Sequence, residues 1–295
     1  MKKVVIASDS FKGSVSSMVV AKSAETAVLR VFPSCEVLKI PVADGGEGSI
    51  DALVSAMKGG VRSCEVHGPL MEIVQAEYGI LGDGKTAVIE MAKASGLPLV
   101  PESERNPMLT TTYGTGELIK DAILHGCKDF IVCIGGSATN DAGTGMLQAL
   151  GFRFLDKAGS ELGQGGQILE QIYSIDKSNV LPQLQEVRFT VACDVNNPFS
   201  GENGAAFVYA RQKGADDAMI YALDRGLKSF ADVISRTESI DIDPLPGAGA
   251  AGGLGGGFMA FLNATLKPGI QTILEALRFE KQIENADLII TGEGK

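Results

Sequence analysis

The chain has no basic cluster: its 26 lysines and arginines are scattered among 36 acids, for a net charge of −10. Nucleic acid and anionic membrane surfaces both demand a positive footprint, so neither is expected as a partner. Cysteine is sparse and unpatterned. Cys35, Cys64, Cys127, Cys133 and Cys193 are odd in number and widely spaced, with no C-x-x-C pair and only His67 and His125 to join them. That argues against a structural zinc site and for a reducing, cytoplasmic setting. Long hydrophobic runs are missing too. After Met1-Lys2-Lys3, the first apolar run stops at Ser8-Asp9, too short for a secretion signal or a membrane span. A G-x-S-x-G elbow is absent, which disfavours a serine hydrolase. His67 and His125 precede Gly-Pro and Gly, and read as surface turn residues.

What the chain has is glycine: 37 of 295 residues, about one in eight, against a usual ~7%. With 45% hydrophobic residues the length suffices for one large or two modest domains. Short β-branched runs stop at Gly or acid: 4–7 at Asp9, 37–40 at Asp44, 130–134 at Gly135, 189–192 at Asp194, and 288–290 at Gly292. These read as buried strands. Helical patterns lie between them at 17–31, with a stripe through Val20, Ala24, Ala27 and Val31, and at 48–57, 116–124, 144–150 and 215–234. The alternation predicts an α/β fold. Runs at 74–81 and 85–91, split by Gly82-Asp83-Gly84, predict a hairpin that breaks the parallel pattern. The expected organisation is two dissimilar α/β domains. Residues 1–64 and 284–295 form a parallel-sheet domain, interrupted by an inserted mixed domain at 65–283.

Two motif matches fail on context. Gly79 to Thr86 fits the Walker A pattern, but a P-loop must open a helix and Ala87-Val88-Ile89 continues as a strand. Gly247 to Gly252 fits G-x-G-x-x-G, but Pro244 and Pro246 block the strand that must precede it. That Gly/Ala run reads either as a helix entrance closely approached by a ligand or backbone, or as a tightly packed small-residue helix.

Ligands of open α/β sheets collect beyond the carboxyl ends of the strands. Those ends carry Asp9, Asp44 with Glu47, Asp141, Asp194 and Glu293. Singly, each has a plain role as helix cap or turn; as a set they point to chemistry. The loop from Gly135 to Gly145 joins a strand to a helix. Gly135 and Gly136 permit close approach, while Ser137, Thr139 and Asn140 supply neutral donors for an anion. Ser8, Asp9, Ser10 and Gly13 surround Lys12, a cation suited to transferred phosphate. Phosphoryl transfer to an alcohol needs such a cation, magnesium, and a carboxylate to take the hydroxyl proton. Asp44 and Glu47 suit the metal. Asp194, with Asn197 as positioner, and Asp141 share the expectation for the base.

The chain resembles the bacterial type-1 glycerate kinases. The resemblance spans essentially its whole length and rests on Ser8-Asp9-Ser10-Phe11-Lys12-Gly13, Ala43-Asp44-Gly45-Gly46-Glu47-Gly48, Gly135 to Gly145, Cys193-Asp194-Val195 with Asn197-Pro198 and Gly204-Ala205-Ala206, and Thr291-Gly292-Glu293-Gly294. It implies ATP- and magnesium-dependent phosphorylation of D-glycerate, 2-phosphoglycerate being the favoured product, and a flavodoxin-like domain carrying an insertion. Members of that family continue past Thr-Gly-Glu-Gly, so a fragment is one expectation for this chain. Rival readings are a phosphatase or isomerase acting on a phosphorylated acid, and a ligand-binding fragment without catalysis. Asp9-Ser10-Phe11 lacks the second aspartate of an aspartyl-phosphate phosphatase. Self-association is left open.

Overall fold

A computed structural model describes all residues except 12, 13, 43–45, 47 and 295. The strands are β1 (Lys3–Phe11), β2 (Glu36–Lys39), β3 (Gly60–His67), β4 (Ile73–Ile80), β5 (Thr86–Glu90), β6 (Asp129–Cys133), β7 (Arg153–Leu155), β8 (Ser174–Asp176), β9 (Arg188–Ala192), β10 (Thr265–Lys267) and β11 (Leu288–Gly294). The helices are α1 (Ser17–Val31), α2 (Ser49–Ala56), α3 (Ala92–Ser95), α4 (Tyr113–Leu124), α5 (Thr144–Ala149), α6 (Ala205–Tyr209), α7 (Asp217–Glu238), α8 (Ala250–Leu262), α9 (Gly269–Ala276) and α10 (Phe279–Ile283).

Three strands form a parallel sheet in the order β11-β1-β2, the arrangement around which a flavodoxin-like sheet is built. Val4, Val5 and Ile6 at its centre are wholly buried, because helices and loops cover both faces. The α1 stripe is rotated by one position from expectation. Ala21, Ala24 and Val28 pack on Val4 and Ile6, whereas Ala27 and Val31 are exposed.

Six strands form a second sheet in the order β10-β9-β6-β5-β4-β3. The first four run parallel, and the β4–β5 and β3–β4 pairs are antiparallel. The strand β3 escapes a sequence reading because it is an edge: half of its residues are exposed, with only Val66 fully buried. The 64/65 boundary drawn from sequence falls inside it. Gly82-Asp83-Gly84 forms the turn after β4, and Asp83 fixes it by accepting from the Lys85 and Thr86 N–H groups at 2.8 and 2.9 Å. This segment is a hairpin, with no helix for a P-loop to open.

The longest helix, α7, buries Ile220, Leu223, Leu227, Phe230 and Ile234 on one face at the 3.6-residue period. Each such side chain stabilises by about 1.5–3 kcal/mol. Asp216 caps it by accepting from Met219 N–H at 2.8 Å. The helix α8 begins with a left-handed run at Ala251, Gly252 and Gly253. A Cβ on Gly252 would lie 2.1 Å from the Thr139 carbonyl oxygen, so glycine lets this backbone press against the 135–145 loop. Ala142 N–H donates to Gly252 O at 3.0 Å. Both sequence readings of the Gly/Ala run are realised: backbone approaches the helix entrance closely at Gly252, and Gly255, Gly256 and Gly257 pack tightly within α8.

Candidate functional site

Because β5, β6, β9 and β10 are parallel, their carboxyl ends share one edge of the larger sheet. Glu90, Gly135, Asp194 and Gly269 stand there in strand order. Two contacts bring the smaller sheet's loops to the same edge. Glu90, 4% exposed, accepts from Ile50 N–H at 2.9 Å at the start of α2. A Cβ on Gly135 would meet Gly46 Cα at 3.7 Å, its nearest neighbour. Gly46 therefore lies beside the glycine-rich loop.

Residues of the smaller sheet arrive from β1 and β11. Ser8 Oγ donates between Asp9 O and Gly292 O, both at 3.0 Å, which ties the ends of these neighbouring strands. Asp9 accepts from Ser10 N–H at 2.5 Å. Both Asp9 and Ser10 are half-buried. Lys12, Gly13, Asp44 and Glu47 lie outside the described residues, as does the Glu293 side chain; the Glu293 backbone belongs to β11. Asp44 and Glu47 are a hard-oxygen donor pair of the kind magnesium takes alongside phosphate oxygens. Among the described residues no group of three or more His, Cys, Asp or Glu is placed to hold a metal.

The glycine-rich loop presents only its beginning to solvent. Gly135 and Gly136 are exposed, Ser137 is 8% exposed, and Thr139, Asn140 and Asp141 are fully buried. Asp141 organises the loop from inside. Its Oδ2 accepts from Thr112 N–H and Thr112 Oγ1 at 2.8 Å each and from Gly145 N–H at 3.2 Å, while Oδ1 accepts from Gly143 N–H at 3.1 Å. Burial pushes its carboxyl above the usual range, against the pull of those donors. Thr139 Oγ1 and both amide atoms of Asn140 are buried without a partner among the described residues.

Beneath this loop lies a residue that sequence reasoning missed. Lys213 is 2% exposed and donates to Ser137 Oγ at 2.7 Å and to Thr139 O at 2.6 Å. Burial draws its ammonium down to about 7, partly offset by the charge of Asp141. Gln212 and Gly214 beside it are exposed, so no local pattern separates this lysine from an ordinary surface one.

Asp194 follows β9 and is exposed. Its Oδ1 accepts from Gly269 N–H at 2.8 Å, at the first residue of α9. Its second oxygen has no partner among the described residues. Asn197 is held between Tyr209, which donates to its Oδ1 at 2.5 Å, and Asn203 O, to which it donates at 2.8 Å. The histidines divide. His125 ends α4 beside Gly126, as expected of a turn residue. His67 instead sits at the end of β3, its Nδ1 3.0 Å from Glu117 and its ring edge-on to Tyr113.

A cavity of about 580 Å³ opens at the opposite edge, beside Thr86, Asp129, Arg188 and Thr265, the first residues of β5, β6, β9 and β10. It is separate from the glycine-rich loop. No helix among the described residues is long and apolar enough to cross a membrane.

Residues 4–295 match a profile of the glycerate kinase family. A glycerate kinase of Halalkalibacterium halodurans is 50% identical over 295 residues, covering 100% of this chain and 78% of the relative. A glycerate 2-kinase of Escherichia coli K12 is 50% identical over 293 residues, covering 99% of this chain and 77% of the relative. A crystal structure assigned as glycerate kinase 2 from Salmonella typhimurium LT2 superposes with a TM-score of 0.98 at 47% identity, covering 100% of this chain and 79% of that one.

Proposed function

The chain belongs to the glycerate kinase family, and from that premise we propose that it transfers the γ-phosphoryl group of ATP to the 2-hydroxyl of D-glycerate, giving 2-phosphoglycerate and ADP. The observation that carries this reading is the convergence, at one sheet edge, of the glycine-rich loop, Asp194, Gly46 and the start of α2. Such an edge is where open α/β sheets bind their ligands, and each of its parts suits a phosphoryl transfer.

In the proposed reaction the glycerate hydroxyl oxygen attacks the γ-phosphorus, the bond to the ADP oxygen breaks, and the hydroxyl proton passes to a carboxylate. Asp194 is the better candidate for that base. It is exposed and its Oδ2 has no partner among the described residues, whereas Asp141 is buried with both oxygens already accepting. We assign Asp141 to loop organisation. Lys12 is proposed to neutralise the transferred charge. Ser8, Asp9, Ser10, Gly13 and Glu293 are proposed to line the smaller sheet's side of the site, and Gly135, Gly136 and Ser137 the other; Thr139 and Asn140 are buried behind that rim, and Asn197 is held by Tyr209 and Asn203 rather than by Asp194. Magnesium, when bound by Asp44 and Glu47, supplies charge neutralisation at the phosphates. The domain division is proposed as the three-stranded sheet against the remainder, and the compartment as the cytoplasm, which supplies ATP.

The test is ADP release from ATP as a function of added D-glycerate, with the product identified by phosphorus NMR. Glycerate-dependent ADP release with a 2-phosphate product is expected. A 3-phosphate product overturns the regiochemistry alone. Release of phosphate from phosphoglycerate without ATP favours the phosphatase reading, and glycerate binding without turnover favours the ligand-binding one.

A further inference from the structure

A buried ammonium costs several kcal/mol unless it is paired, yet Lys213 makes no ion pair among the described residues. Asp141, the carboxylate whose charge reaches it, spends its own acceptors on Thr112, Gly143 and Gly145. Lys213 instead gives two of its three N–H donors to the glycine-rich loop, at Ser137 Oγ and Thr139 O. The turn that carries it is built for this inward direction. Gly214 takes φ +95°, and a Cβ there would lie 2.1 Å from Arg105 O.

Hydrogen-bond direction gives the contact its consequence. A serine oxygen that accepts from an ammonium keeps its own hydroxyl proton to donate elsewhere. Ser137 Oγ has no other partner among the described residues, and Ser137 stands at the rim directly after exposed Gly135 and Gly136. Thr139 Oγ1 and the Asn140 amide, two and three residues on, are likewise buried without partners. We infer that Lys213 is a positioning residue: held beneath the loop, it fixes Ser137 as an outward donor to an anionic oxygen of a substrate. This rests on the kinase reading for the identity of the anion, which is either the carboxylate of glycerate or a phosphate of ATP.

Deprotonation reverses the contact. A neutral Lys213 amine accepts from the Ser137 hydroxyl, and the outward donor is lost. Anion affinity therefore falls as pH rises through the lysine's transition near neutrality. The titratable or charged groups nearest Lys213 include Asp141, Arg105, Arg211 of its own turn, Tyr209 of α6, and Asp216 and Asp217 at the start of α7. Tyr209 is engaged with Asn197, Asp216 with Met219 N–H, and Asp217 with Arg211. Burial raises the Tyr209 hydroxyl, moving it away from neutrality.

The experiment measures kcat and KM for D-glycerate and for ATP across roughly pH 6 to 9 in wild type, Lys213→Met, Ser137→Ala and the double variant. Loss of a hydrogen bond to a charged group predicts roughly a ten- to hundred-fold rise in one KM. Wild type should show that KM rising with pH, both single variants should lose the step, and the double variant should be no worse than either. A raised KM for glycerate identifies the carboxylate as the anion; a raised KM for ATP identifies the phosphate. A KM and pH profile equal to wild type in folded Lys213→Met, or additive effects in the double variant, overturn the inference. If Lys213→Met does not fold, Ser137→Ala decides alone, because it retains the lysine: a surviving pH step overturns the inference and its loss supports it. If wild type shows no glycerate-dependent ADP release, the kinase reading fails by itself. Calorimetric binding of inorganic phosphate over the same pH range then tests the lysine: weakening with pH in wild type but not in Ser137→Ala supports the inference, and equal profiles overturn it.

Discussion

Asp141 Oδ2 accepts two hydrogen bonds from one residue, Thr112: the backbone N–H and the hydroxyl, each at 2.8 Å. The same Thr112 oxygen accepts from Met146 N–H at 2.9 Å, so the pair ties the start of α4 to that of α5 through one buried carboxylate. Asp141→Asn puts an NH2 group where N–H donors already point. It is expected to lower stability by about 1–3 kcal/mol, measured as a shift in urea midpoint, with activity falling because the loop is disturbed. An unchanged midpoint with a hundred-fold lower turnover would return Asp141 to the role of base.

Lys213 carries a pH-dependent stability of opposite sense to an ordinary ion pair. In the unfolded chain a lysine titrates near 10.4, and in the fold burial draws this one down to about 7. Below the lower value both states are protonated, and the cost of burying the charge is fully present. Between the two values the unfolded state holds the extra proton, so stability rises with pH. Lys213→Met removes this slope. Urea denaturation near pH 6 and near pH 9 should show wild type gaining stability relative to the variant at the higher pH; parallel profiles would refute the burial argument.

The hairpin reading of residues 79–86 predicts that Gly84→Ala harms folding and spares nucleotide binding. Gly84 sits at φ +68° with open space around its Cβ position, so the penalty is conformational alone, about 1–2 kcal/mol. A lowered Tm with an unchanged KM for ATP is the expected pair of results. Selective loss of ATP affinity at unchanged Tm would restore the P-loop reading.

What sequence made legible, and what it hid, follows from how local each signal is. Buried parallel strands such as β5, β6 and β9 announce themselves as short apolar runs, because both of their faces are covered. Asp194 and the glycine-rich loop follow from where those runs stop. The edge strand β3 mixes exposed and buried positions over Gly-Val-Arg-Ser-Cys-Glu-Val-His and gives no such run. Lys213 is hidden for a deeper reason. Its burial is set by a loop 76 residues away, through the bond to Ser137, while its sequence neighbours are exposed. The left-handed entry of α8 is similarly dictated by the Thr139 backbone pressed against Gly252.

Glu90 joins β5 to the start of α2, accepting from Ile50 N–H at 2.9 Å in a buried setting that raises its carboxyl above the usual range. Glu90→Gln keeps an acceptor at that position, whereas Glu90→Ala leaves the N–H unpaired. Thermal melts should therefore show Glu90→Gln close to wild type and Glu90→Ala lowered by several degrees, corresponding to about 1–3 kcal/mol. The alanine variant should also raise KM, since the start of α2 is tethered here. Equal behaviour of the two variants would remove the hydrogen bond as the cause.

Asp194 offers the cleanest separation of structural from chemical roles. Its Oδ1 accepts from Gly269 N–H at 2.8 Å and so caps α9, while its other oxygen, without a partner among the described residues, is proposed to take the substrate hydroxyl proton. Asp194→Asn retains a carbonyl oxygen able to hold the cap and removes the basic site. Loss of a general base predicts roughly a 10²–10⁴-fold fall in kcat, with Tm and KM for D-glycerate nearly unchanged. If Asp194 serves only as a cap, Asp194→Asn retains turnover and Asp194→Ala loses stability instead. If it binds magnesium, added metal partly rescues Asp194→Asn, which proton transfer cannot explain. Turnover within a few-fold of wild type in both Asp194→Asn and Asp141→Asn assigns the proton to neither, and the role passes to Asp9 or Asp44, the remaining aspartates expected at strand ends.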